Sequence, residues 1–221
     1  MKLIYKNIEH VLNFENGCVS ELVVENKRLF FEMVNDIVMQ SEGASGKFVL
    51  SFKDRLLEIS KNIDVTVQFA PFQLNRKSLL SKLSTELEKR AMQPENSIAT
   101  AELLMRVESY MYEIADDFPF GIDCKKNTVG AIIRALSPEI EEVNESELEK
   151  IFSYMEIVRE LDKERLYVMV NMRTYFNDEE MEQFAKSSIS HDFKVLLLES
   201  VLHPTLKSVN RYIIDQDLCE F

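Results

Sequence analysis

Residues 166–171 read LYVMVN and residues 194–199 read KVLLLE. Neither stretch alternates polar with apolar positions. Each is a nearly continuous apolar run of strand length, the pattern of a strand covered on both faces. Between them, Asn177 and Glu180 stand three apart ahead of a helical stretch, which is the spacing of a capping box. Strand, helix and strand in this order predict a parallel βαβ unit with a right-handed crossover. RYIIDQD, from Arg211 to Asp217, adds a short terminal strand.

Working outward from this unit, the first 70 residues also alternate strand and helix signals. LIYKNI and HVLNF are short β-like runs, and CVSELVV follows the turn at Glu15–Gly17. Asn26 is placed to cap a helix whose Phe30, Val34, Ile37 and Val38 recur at helical spacing. KFVLSF and IDVTVQF then read as further strands, the second rich in β-branched residues.

From Asn75 the pattern becomes helical. Leu79, Leu80, Leu83 and Leu87 share one face of a helix that Gln93–Pro94 interrupts. A longer helix carries Leu103, Leu104, Val107, Met111 and Ile114 as its apolar stripe, and a third runs from about Thr128 to Leu136. A fourth spans roughly 145–161, with Leu148, Phe152, Met155 and either Val158 or Leu161 facing inward. The expected organisation is one α/β domain made of residues 1–74 and 162–221, with a helical subdomain, 75–161, inserted between its halves.

The chain has 221 residues, 46% of them hydrophobic and 29% charged, an ordinary globular composition. The opening residues are expected to form a strand rather than a signal peptide, and no apolar run reaches bilayer length. Three cysteines without a CxxC pair argue against a zinc site or a disulfide framework, which leads to the expectation of a cytoplasmic protein. The net charge of −12 opposes nucleic acid over the surface as a whole, although a site responds to its local field.

Few motifs carry chemistry. Gly43–Lys47 has a glycine-lysine ending, but its glycines are too close, Phe48 replaces the hydroxyl residue, and a strand follows where a phosphate loop needs a helix. His10, His191 and His203 lie in no nucleophile–base pattern. Acids gather at Glu113, Asp116, Asp117 and Asp123, and again from Glu139 through Glu141, Glu142, Glu145, Glu147 and Glu149. Such groups suit calcium, or equally a solvated face favoured by a helix dipole. Cations concentrate at Lys47, Lys53, Arg55 and Lys61, at Arg76–Lys77, and at Lys125–Lys126.

Residues 144–184, with 193–200 and 211–218, resemble the C-terminal half of the type II-A CRISPR-associated spacer-acquisition accessory proteins, the Csn-two family. The resemblance rests on Glu141, Glu145, Glu149, Lys150, Leu161, Lys163, Asn171, Glu199, Tyr212, Ile213 and Asp215, and more weakly on residues 72–88. It implies an α/β head, mostly a parallel sheet and like a degenerate phosphate-loop fold, with an inserted helical leg. It further implies a homotetrameric ring threaded by double-stranded DNA, held by its ends without regard to sequence. Calcium at acidic residues near the leg is implied too, as is work in antiviral defence beside the CRISPR adaptation nuclease complex and the effector nuclease.

The expected function is therefore non-catalytic DNA-end binding during acquisition of new spacers. Lys47, Lys53, Arg55, Lys61, Lys125 and Lys126 are the candidate DNA contacts, and Glu113, Asp117, Asp123, Glu141, Glu145 and Glu149 the candidate calcium ligands. Two rival expectations are a nucleotide hydrolase with a degenerate phosphate site and a protein–protein scaffold without DNA contact. Asn171, at the end of LYVMVN, stands where open α/β sheets place ligands; it either replaces a metal-holding Asp or bonds nearby backbone.

Overall fold

The computed structural model describes residues 1–15, 17–142 and 146–221. In chain order the elements are β1 (Lys2–Tyr5), β2 (Val11–Asn13), β3 (Cys18–Val24), α1 (Lys27–Ser41), β4 (Phe48–Phe52), β5 (Arg55–Leu57), α2 (Ile59–Asn62) and β6 (Ile63–Thr66). There follow α3 (Lys77–Ala91), α4 (Pro94–Ile114), α5 (Val129–Leu136), α6 (Glu147–Leu161), β7 (Leu166–Val170), α7 (Asp178–Ser190), β8 (Lys194–Glu199) and β9 (Asn210–Ile214). A 3-10 turn, Met172–Thr174, follows β7.

The two continuous apolar runs form neighbouring parallel strands, with Leu166 opposite Lys194 and Val170 opposite Leu198. They belong to a five-stranded sheet of order β6-β7-β8-β3-β9, parallel at every pairing. All five residues of β7 are buried, as a strand covered on both faces requires. The N-terminal strands divide. β3 and β6 join the parallel sheet, whereas β1, β2, β4 and β5 make a separate antiparallel sheet of order β2-β1-β4-β5. Leu3, Tyr5, Phe48 and Leu50 point from that sheet into a core shared with Leu22, Val24, Met33, Ile37, Val168 and Leu198.

The helices start where their capping chemistry predicts. The Asn26 side chain accepts from the Leu29 amide, Thr128 from Ala131, Ser146 from Glu149 and Asn177 from Glu180, the last two as reciprocal capping boxes. Pro94 opens α4 instead of breaking it, because the first helical turn needs no amide donor there.

Two compact units result, one of Met1–Gln73 with Asn144–Phe221, the other of Leu74–Val143. The boundary expected at residue 161 is displaced, because α6 belongs with the sheet. Its Ile151, Tyr154, Met155 and Val158 are buried, the Met155 carbonyl accepts from the Tyr167 hydroxyl at 2.9 Å, and Tyr154 donates to Asp64 at 2.8 Å. The expected inward face of α6 is thereby rotated: Leu148 and Phe152 are only half-buried, and Ile151 and Tyr154 take the core. A larger departure concerns α4. None of its residues is buried, so Leu103, Val107, Met111 and Ile114, read as a core stripe, are exposed. In the second unit α3 packs on α5, where Gly130 leaves room for the Glu88 side chain that pairs with Arg134 at 3.3 Å.

Replacing Ser146 or Asn177 with Ala removes one side-chain cap each. Either change should cost about 1 kcal/mol. That corresponds to a melting temperature lowered by roughly 2–4 °C, measured by differential scanning calorimetry.

Candidate functional site

Parallel strands end at a common edge, and open α/β sheets bind their ligands beyond the carboxyl ends. In this protein Asn171 and Arg173 follow β7 and Glu199 ends β8, and Arg173 reaches back from that edge to a carboxylate inside the sheet. Glu21, in the middle of β3, is wholly buried and receives two arginines. Arg173 Nη1 donates to its Oε1 at 2.7 Å, and Arg211 Nε to its Oε2 at 2.5 Å. Arg211 lies directly opposite Glu21 on β9. The Arg173 Nη2 also donates to Asp178 at 2.6 Å and to the Pro204 carbonyl at 2.8 Å, and the latter accepts from Arg211 Nη2 at 2.9 Å as well. The backbone amide of Arg173 donates to Glu199 Oε1 at 3.1 Å.

Glu199, at the end of β8, is a third carboxyl in this cluster, beside Arg173. Burial pushes its carboxyl up to about 7; the neighbouring Glu21 charge adds to this, while the Arg173 amide and guanidinium oppose it. His203 lies 3.8 Å from Glu199 and is shifted downward, first by burial and then by Arg173. Both shifts favour the neutral forms and so weaken this approach as an ion pair. Glu199 Oε2, His203 Nε2 and Arg173 Nε are buried without a hydrogen-bond partner among the described residues.

Asn171 adopts the left-handed conformation, φ 53°, and bonds the ends of two strands together. Its amide donates to the Leu198 carbonyl, and its Oδ1 accepts from the amide and hydroxyl of Ser200, each at 2.9 Å. Its side chain is committed to backbone fixation. On the other side, β3 passes into α1 through Glu25 and Asn26 alone, too short a link for a phosphate loop. Gly43–Lys47 lies instead between a helix and a strand. The Gln40 amide bonds both backbone groups of Phe48 at 2.9 Å and fills the space beside Gly46.

The candidate DNA contacts lie on separate elements of the chain. Lys53 and Arg55 flank Asp54 at the tip of the β4–β5 hairpin, where Lys53 and Asp54 both have positive φ, 48° and 61°. Both cations are exposed. Lys47 is held by Glu32 at 2.9 Å and lies over the Tyr5 ring, and Lys61 is paired with Glu58 at 2.6 Å. Lys125 and Lys126 are exposed in the second unit, before α5.

The candidate metal ligands are likewise scattered. Glu113, Asp117, Asp123 and Glu141 are exposed in the Leu74–Val143 unit, and Glu149 is in the α/β unit. Glu149 Oε2 is engaged as the capping-box acceptor of the Ser146 amide at 2.7 Å. Glu145 lies outside the described residues. Among the described residues no three His, Cys, Asp or Glu side chains converge as a cation site demands. No helix of the described residues is long and apolar enough to cross a membrane.

Sequence reasoning misses the buried network. Glu21 sits inside an apolar strand run, and a glutamate there is almost never fully buried unless paired. That signal announces a buried cation, but nothing local says that it comes from residues 173 and 211.

The family described as CRISPR-associated protein (Cas_Csn2) matches this chain over residues 40–218. Among solved structures, the chain is similar to the crystal structure of Stu0660 of Streptococcus thermophilus. The TM-score is 0.58 at 12% identity, over 90% of this chain and 68% of that one. At that identity the likeness is one of fold.

Replacing Arg173 with Met should cost about 3–5 kcal/mol in urea denaturation, because Glu21 loses one of its partners while buried. The Glu199 proton has its own signature. Its folded value, about 7, lies above the ordinary 4.5, so its stabilising contribution is complete below 4.5 and is lost as pH rises through 7. Between pH 5 and 8 the unsubstituted protein should lose on the order of a few kcal/mol that Glu199→Gln retains. Unfolding free energies measured across that range for both proteins check it.

Proposed function

The chain belongs to the CRISPR-associated family Cas_Csn2, and from that membership we propose that it is a non-catalytic, ring-forming protein that binds double-stranded DNA ends during acquisition of new spacers. The observation that carries the reading is the family match across residues 40–218. In this reading the α/β unit is a phosphate-binding fold that has lost its loop, and the inserted unit is its helical leg. The homotetramer works in the cytoplasm, in antiviral defence, with the CRISPR adaptation nuclease complex and the effector nuclease.

Three features support this assignment over a nucleotide hydrolase or a scaffold. The two-residue link from β3 to α1 offers no cradle of amides for phosphates. At the carboxyl ends of β7 and β8, Arg173 is turned back onto Glu21, its amide bonds Glu199 and Asn171 is tied to Ser200, which supports absence of magnesium-dependent phosphoryl transfer. The exposed apolar residues of α4, among them Met105 and Ile114, suit burial against other subunits. A closed ring would also answer the charge of −12, since a symmetric assembly repeats one small basic element around a single axis. Lys53 and Arg55 on their hairpin are the best such element. The described acids assemble no calcium site, so the effect of calcium is a matter for measurement.

Linear duplex should bind in a gel-shift assay, and covalently closed circles should bind far more weakly, because threading needs an end. Equal binding to both overturns threading; binding to neither leaves the scaffold, and protein-dependent phosphate release from ATP or GTP restores the hydrolase. Lys53→Ala with Arg55→Ala should weaken linear binding and flatten its salt dependence, by about one unit of log–log slope for each phosphate interaction removed. Calcium that raises neither the melting temperature nor the share of tetramer removes the metal from the reading.

A further inference from the structure

Helices α6 and α7 pack side by side in the α/β unit, and an open groove of about 720 Å³ runs between them. That volume is in the range of sites that enclose several side chains. Leu148, Phe152, Phe176 and Phe184 make the lining apolar, and Tyr175, about half exposed, stands at its edge. Its charged lining residues are Glu147, Glu149 and Glu180, and no Lys or Arg is among them. Glu156 adds a fourth carboxylate beside the lining residue His191, at 4.0 Å.

Glu147 has both oxygens engaged, one by Lys150 at 3.1 Å and one by the Phe72 amide at 3.1 Å, whereas Glu149 and Glu180 are only partly occupied. Both α6 and α7 begin at this groove, and their capping boxes use Oε2 of Glu149 and Oε2 of Glu180. The second oxygen of each makes no hydrogen bond to a described residue and is free to accept from an incoming donor. Glu147 is held below the usual carboxylate range by Lys150 and by the Phe72 amide, and Glu149 by the Ser146 amide, so both are ionised at neutral pH. An aromatic floor under an anionic rim selects a ligand that brings apolar side chains and positive charge together. A nucleic acid is repelled there, and a purely apolar ligand leaves the rim unsatisfied.

We propose that the α6–α7 groove is a docking site for a basic amphipathic segment of a partner protein, with aliphatic or aromatic side chains on Phe152 and Phe176 and Lys or Arg against Glu149 and Glu180. A short extended or helical segment of this kind matches the way apolar grooves take peptides. The inference does not depend on DNA binding, since its carboxylates lie apart from every candidate DNA contact in the sequence.

The test uses the full chain and a fluorescein-labelled amphipathic peptide of leucines and arginines, followed by fluorescence anisotropy. Gln183 lines the groove, is exposed and makes no side-chain hydrogen bond to a described residue, so Gln183→Lys places a cation in the site while leaving the structural contacts intact. Gln216→Lys, at an exposed position after β9 where the backbone is held by the Asn26 side chain, makes the same charge change outside the groove lining. Gln183→Lys should weaken peptide binding about tenfold, equivalent to about 1.4 kcal/mol, while Gln216→Lys leaves it unchanged. Tyr175→Ala should also weaken it, and a peptide with glutamate at every arginine should not bind. Equal losses from Gln183→Lys and Gln216→Lys would mean attraction to the bulk charge and overturn the proposal. So would equal binding of the acidic peptide. Absence of peptide binding together with dissociation of subunits by Gln183→Lys would overturn it too, and would assign the groove to a second copy of this chain. Circular dichroism of each variant confirms that the fold is kept.

Discussion

A glutamate in the middle of an interior parallel strand constrains this fold more than any other residue. Glu21 has β8 on one side, β9 on the other and no access to water. Leaving its charge there unpaired would cost several kcal/mol, comparable with the whole stability of many domains. The fold answers with two guanidinium groups from distant parts of the chain. Arg173 arrives on the turn after β7 and Arg211 on β9, and they share the Pro204 carbonyl between them. One network thereby fixes β3, the turn after β7, the first turn of α7, the loop after β8 and β9. Its main effect is on specificity, since any other arrangement of those elements strands the Glu21 charge away from its partners.

The network also decides what the carboxyl edge of the sheet can do. In open α/β sheets that edge ordinarily serves ligands. Here Arg173, held by Glu21 and Asp178, and Glu199 occupy it, and Asn171 ties β7 to the residue following β8. With two cations and two other carboxylates nearby, a third ionised carboxyl would be in excess. That excess, added to burial, accounts for the retained proton on Glu199. The edge is a closed joint between strands, and chemistry is left to surfaces elsewhere: the β4–β5 hairpin, the α6–α7 groove and the exposed length of α4.

Those surfaces differ in character for physical reasons. The hairpin is tight, with two successive positive-φ residues, and projects Lys53 and Arg55 into solvent. The groove combines two helix starts, whose acids are drawn there by the helix dipoles, with the half-covered side chains of Phe152 and Phe176. Helix α4 has apolar side chains with no burial at all, and a surface of that kind is stable in water when something covers it.

Much of this was legible in the residues. The strand character of LYVMV and KVLLLE, the capping box at Asn177, and the failure of Gly43–Lys47 as a phosphate loop all depend on neighbours a few residues away, and local chemistry settles such features. The sequence likewise determined that the chain is an interrupted α/β protein, because hydrophobic period is a local signal. Tertiary structure alone decided that α6 packs with the sheet, that the stripe of α4 faces solvent and that Glu21 meets Arg173 and Arg211. Periodicity says that a helix has an apolar face but not what covers it, and a charge in a strand announces a partner without naming it. Those choices depend on pairings across 152 and 190 residues of chain, the separations of Glu21 from its two arginines. They exist only once the sheet has brought the strands together.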